Sequence, residues 1–136
     1  NTAVVKEMYA DKPSEITRLS LLRAKFAEYL AIPFNMAVKQ EELFLMGLVS
    51  VLDVILETSM EEALEKVKMT GEVSTALTRG EGPLANVMEL IRQYENANWQ
   101  EVTRLLLLAD VEVSAVNDCY MKSLYWYRQL MFGKEE

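Results

Sequence analysis

The sequence predicts an all-α protein, a compact multi-helix bundle of about six to seven helices. Three observations carry that expectation. Only 5 Gly and 3 Pro interrupt 136 residues. They fall between segments whose apolar residues recur at helical spacing. No stretch alternates in the period of a strand.

A short polar opening helix is expected over 2–9, ending before Asp11-Lys12-Pro13. Ser14 is a good N-cap for a helix over 14–31, whose apolar face is Ile16, Leu19, Leu22, Phe26 and Leu30. Ile32-Pro33 stops it, because a residue before proline is pushed out of the helical region. Residues 40–57 are apolar almost all round and read as one central, buried helix. On it, Gly47 and Ser50 lie three apart, where small side chains let a neighbouring helix approach. Ser59 with Glu62 spells a capping box for a helix to 67, and Thr70 can cap another to 78. Arg79-Gly80-Glu81-Gly82-Pro83 is a turn, with proline opening a helix over 83–96 on which Leu84, Val87, Met88, Ile91 and Tyr94 share a face. Asn98 and Glu101 form a second box-like cap before the stripe Trp99, Val102, Leu105, Leu106 and Ala109. The last helix, 114–132, places Val116, Tyr120, Leu124, Tyr127 and Met131 on one side, and 133–136 should fray. Nothing in composition divides the chain, so residues 1–136 read as a single domain.

Composition narrows the function classes. A net charge of −7 repels the phosphate backbone, so nucleic acid is not an expected partner. No run approaches the ~18 apolar residues of a membrane span, so no membrane is expected. One cysteine, Cys119, cannot form an internal disulfide, and no signal-peptide pattern opens the chain. The expected setting is the cytoplasm, with Cys119 a small core hydrophobe lacking an activating cation beside it. The chain opens at Asn1 without an initiator methionine, which suggests the C-terminal segment of something longer.

The chain has no histidine. That removes Ser-His and Cys-His nucleophilic pairs, and imidazole metal sites with them. A carboxylate-only metal site would have to draw on Glu41, Glu42, Glu61, Glu62 and Glu65. These sit at helix starts, where acidic side chains favour the dipole and face solvent. The glycine turn at 79–83 lacks the lysine of a phosphate loop. Glu62-Ala63-Leu64 spells the signature of EAL-type cyclic-di-GMP phosphodiesterases, but those are barrels of eight strands, and here the tripeptide lies in a short capped helix. Tyr120, Tyr125, Trp126, Tyr127 and Phe132 cannot all occupy one stripe, so some must face another helix or another molecule; Tyr125, Trp126 and Phe132 are the candidate interaction residues.

Taken together, 19–26 (LSLLRAKF), 42–48 (ELFLMGL), 80–84 (GEGPL), 94–99 (YENANW) and 120–126 (YMKSLYW) resemble the HDOD family of bacterial signalling domains, in the version joined to an EAL domain. The resemblance covers nearly the whole chain from about residue 12 and corresponds to the later part of that domain. It implies a bundle of the HD/HDOD type, related to metal-dependent HD and HD-GYP phosphohydrolases. Aligned on Gly47-Leu48-Val49, the His-Asp pair of those phosphohydrolases falls on Ser50 and Val51; Asp53 lies nearby without partners. The expectation is therefore a non-catalytic regulatory or output domain, with no catalytic, metal or cofactor residues. It would work in cyclic-di-GMP signalling by contact with an EAL-type domain of the same protein or with a signalling protein, and a homodimer stays open. The rival expectations are a degenerate phosphohydrolase that keeps nucleotide or metal binding through carboxylates and Arg18, Arg23 or Arg79, and, further off, a tetratricopeptide-like interaction module, for which no repeat near 34 residues is visible.

Overall fold

The computed structural model describes residues 14–133. The expected helix over 2–9 and the tail beyond Gly133 lie outside these. Among the described residues there is no strand. The α-helices are α1 (Glu15–Leu30), α2 (Gln40–Val49), α3 (Leu52–Leu56), α4 (Met60–Lys66), α5 (Gly71–Arg79), α6 (Ala85–Glu95), α7 (Trp99–Ala109) and α8 (Val113–Phe132), with a 3-10 turn at Ala37–Lys39 before α2. Counting the broken pair α2 and α3 as one, the described residues hold seven helices, within the six to seven expected.

Helix α1 is the hub. It lies along α2, and also packs against α8 and α6; α2 touches α5, α5 touches α6, and the ring closes on α1. The core inside that ring is Phe26, Leu30, Leu43, Met46, Leu64, Leu84, Leu90, Ile91 and Val116, all at most 2% exposed. Each such side chain contributes about 1.5–3 kcal/mol when removed from water. A second, smaller cluster joins Leu21 and Leu130, flanked by Leu48, Trp126, Tyr127 and Met131. It fixes the far half of α8 to α1.

The small-residue reading of Gly47 has a direct cause. A Cβ there would stand 2.5 Å from the carbonyl carbon and oxygen of Arg23, so only glycine lets α1 lie this close to α2. Ser20 stitches the same contact, donating from Oγ to the Leu48 carbonyl at 2.7 Å.

The single buried helix expected over 40–57 is corrected. It breaks at Ser50 and Val51 between α2 and α3: Ser50, at φ −67 and ψ −9, still lies in the right-handed helical region, and Val51, at φ −112 and ψ 7, leaves it. Ser50 Oγ donates to the Gly47 carbonyl at 2.8 Å, while Ser20 occupies that of Leu48. Hydroxyls thus serve two carbonyls near the end of α2, the competition that makes serine a weak helix former. Beyond the break the chain leaves the core: α2 buries Leu43, Met46, Gly47 and Val49, but α3 buries nothing.

Caps follow the sequence in part. Ser14 accepts from the Thr17 amide and Ser59 from the Glu62 amide, as expected. Thr70 and Asn98 hold N-cap positions without a side-chain cap bond. The Asn98 amide donates to Gln93, and Glu101 turns to Arg104, so the second box does not form. Helix α6 starts at Ala85, two positions after Pro83, since Gly82, at φ 91, opens a turn closed by the Ala85 amide donating to the Gly82 carbonyl.

Candidate functional site

Ser50 and Val51 sit at the α2/α3 break, 4% and 2% exposed. The break faces α1, and the side chain that reaches it is Arg23. Its Nη1 donates to Ser50 Oγ at 3.1 Å. Its Nε and Nη2 donate to the two carboxylate oxygens of Glu95, each at 2.8 Å. The Arg23 and Glu95 side chains are 11% and 25% exposed. A two-pronged guanidinium to carboxylate pair of this kind is geometrically specific and stronger than a neutral hydrogen bond. Glu95 ends α6, where a carboxylate is opposed by the helix dipole, and the guanidinium compensates it. Three elements distant in sequence thus meet at one cation, and no buried side-chain polar atom among the described residues lacks a partner. Val51, a hydrocarbon, has no polar chemistry to add.

The rival site residues are scattered. Glu41, Glu61, Glu62 and Glu65 are exposed and Glu42 half-buried. No three His, Cys, Asp or Glu side chains among the described residues gather as metal ligands. Arg18 lies over the Tyr127 ring at 5.7 Å. Arg79 stands exposed at the end of α5, and Arg23 is bound to Glu95 and Ser50. The three arginines share no polar partner among the described residues.

The α8 aromatics divide. Tyr120 belongs to the core, edge-on to Phe26 at 5.3 Å and beside Tyr94, whose hydroxyl donates to Asn117 at 2.7 Å. Burial raises the Tyr94 phenol above its usual range, and Tyr120 adds to the shift. Trp126 is half-buried in the second cluster, with the Lys25 ammonium 5.4 Å from its ring centre. Tyr125 and Phe132 are 66% and 75% exposed. Two of the three candidate interaction residues therefore face outward, and the third spends much of its ring on α1.

Cys119 is buried, its thiol donating to the Tyr29 carbonyl at 3.4 Å. Burial pushes its pKa up, against a smaller opposing pull from Lys122. It borders a shallow cleft of about 310 Å³ between Tyr29, Ile32, Pro33 and α8.

Sequence reasoning missed the Arg23 to Glu95 pair, which joins positions 72 apart. It also missed the exposed apolar residues of α7, Leu107 and Leu108, which lie outside the stripe set by Val102 and Leu106.

The chain is 32% identical over 128 residues to the cyclic di-GMP phosphodiesterase CdgJ of Vibrio cholerae, an alignment that covers 94% of this chain and 30% of that protein. It is 30% identical over 120 residues to the uncharacterised protein YuxH of Bacillus subtilis, covering 88% of this chain and 29% of YuxH. The chain thus spans about 30% of the length of these curated relatives. No family model and no solved structure matches. No single helix among the described residues is long and apolar enough to cross a membrane.

Proposed function

We propose that this chain is an HDOD-like regulatory domain of cyclic-di-GMP signalling that acts by contact between domains or proteins and performs no catalysis itself. The observation that carries this reading is the Arg23, Ser50 and Glu95 network. At the place where the HDOD resemblance puts a metal-binding His-Asp pair stand a hydroxyl, a hydrocarbon and a pinned guanidinium. A fixed cation repels a divalent ion, and neither Ser50 nor Val51 offers the imidazole or carboxylate that would hold one. The residues present do not fit the metal of the HD enzymes, and they fit a packing joint well.

CdgJ is named as a phosphodiesterase, and the region similar to this chain is 30% of it. On the proposed reading, hydrolysis in such a protein belongs to another region, of EAL type, and this domain sets its state by docking against it. Location in the cytoplasm follows from that partner. Calorimetric titration of the purified chain with Mn²⁺, with Mg²⁺ and with cyclic-di-GMP tests the reading. Flat isotherms are expected; saturable metal or nucleotide binding would favour the degenerate phosphohydrolase instead.

A further inference from the structure

Helix α3 is an apolar turn that rests on the core through Leu52 alone and leaves its other apolar side chains uncovered. Four of its five residues are apolar, yet none is buried, and Val54, Ile55 and Leu56 are 59%, 45% and 38% exposed. A helix that short has almost no stability of its own, and its uncovered side chains forgo the transfer free energy that packing would return. The same hairpin is acidic. Asp53, Glu57, Glu61 and Glu65 lie along it, and none of them joins an ion pair among the described residues. Glu57 ends α3 in the left-handed conformation at φ 55, and the Thr58 hydroxyl donates to the Glu62 carboxylate at the start of α4. The hairpin is thereby a shaped element rather than a loose loop. Lys66 ends the hairpin and Lys68 follows it, two cations against five carboxylates (Asp53, Glu57, Glu61, Glu62 and Glu65), so the element stays negative.

We infer that the α3 to α4 hairpin is a docking surface for a basic amphipathic helix of a partner protein, its apolar stripe covering Val54, Ile55 and Leu56 and its Lys or Arg side chains meeting the carboxylates. Charge complementarity selects this occupant. A second copy of the chain would bring the same acidic hairpin against itself. An anionic bilayer would be repelled by it, although Ala37–Leu56 with Met60–Lys66, bent by 108°, is apolar enough to pass for a broken span. The inference rests on the contact reading above and narrows it to one face.

The test uses the whole chain and a synthetic Leu/Lys amphipathic helix as probe, read by fluorescence anisotropy, with a Leu/Glu helix of the same pattern as control. The Leu/Lys helix should bind and weaken as salt is added, and the Leu/Glu helix should not bind. Glu57→Lys with Glu61→Lys, and separately Ile55→Ser, should each weaken binding about tenfold or more. Glu81→Lys with Glu89→Lys, at exposed positions elsewhere, should change it less than about twofold. Circular dichroism confirms that each variant is folded. Equal loss from the remote pair would mark mere attraction to net charge and overturn the inference. So would binding of the Leu/Glu helix, adsorption to vesicles of phosphatidylcholine and phosphatidylglycerol that Ile55→Ser abolishes, or a dimer that Ile55→Ser dissolves. A docking failure leaves the non-catalytic reading untouched, since that reading falls only on metal binding or turnover.

Discussion

Arg23 and Glu95, 72 positions apart, are joined by two hydrogen bonds of 2.8 Å, with Ser50 accepting a third from the same guanidinium. The pair ties α1 to the end of α6 at the point where α2 breaks. Replacing Glu95 by Gln should destabilise the domain by about 1–3 kcal/mol, since it leaves a largely buried cation short of its charge partner. Arg23→Ala should cost a similar amount, and the double variant less than the sum. Urea denaturation of the three variants measures the coupling.

Gly47→Ala should be among the most damaging conservative changes in the chain. The new methyl group would meet Arg23 backbone at 2.5 Å, which cannot move without parting α1 from α2. Overpacking of this kind costs about 1–3 kcal/mol or more. The expected readout is a lower denaturation midpoint, together with weakened protection of the α1 and α2 amides in hydrogen exchange.

Ala97→Gly should stabilise. Ala97 links α6 to α7 at φ 57, where a Cβ is strained and glycine is not, and its side chain is exposed, so nothing is lost by removing it. The gain should be about 0.5–1 kcal/mol, seen as a raised melting temperature.

The α8 aromatics should separate in the same assay. Trp126→Ala removes a ring that packs on the Leu21 and Leu130 cluster and carries the Lys25 contact, and should cost about 2–3 kcal/mol. Tyr125→Ala and Phe132→Ala, at exposed positions, should stay within about 0.5 kcal/mol of the parent. If Tyr125 and Phe132 serve a partner, the loss will appear in binding and not in melting.

Cys119 should alkylate slowly in the folded chain. Its thiol pKa is raised by burial, so the neutral form is favoured further into the alkaline range than in the unfolded chain. A raised acid pKa makes the folded state hold its proton longer. The associated stability is full below the unfolded pKa and declines as pH rises through the folded one. Iodoacetamide labelling near neutral pH should be much slower than for the chain in denaturant, and the gap should narrow as pH rises.

How much of this was legible in the sequence differs by element. The helical class, the termination of α1 near Pro33, and the caps at Ser14 and Ser59 follow from local chemistry, and local chemistry is what a sequence displays. The closeness forced by Gly47 was legible too, as a small residue on an apolar face. The break at Ser50 was not, because it involves the Ser20 hydroxyl reaching the Leu48 carbonyl from another helix, 28 positions away. An all-apolar run carries no mark of where it will leave the core, so α3 read as buried. The same holds for Arg23, which by itself is one more charge on an amphipathic helix; its meaning comes from Glu95. Thr70 and Asn98 have the right identity for caps, but their side chains make no cap bond, and Asn98 bonds instead to Gln93.

With a packing joint where a metal-dependent site would be, the chain should not hydrolyse cyclic-di-GMP. Purified chain should be incubated with cyclic-di-GMP and Mn²⁺ or Mg²⁺, with product followed by chromatography and Arg23→Ala run alongside. Neither protein should show metal-dependent turnover. Saturable, metal-dependent hydrolysis that co-purifies with the chain through successive columns would contradict this.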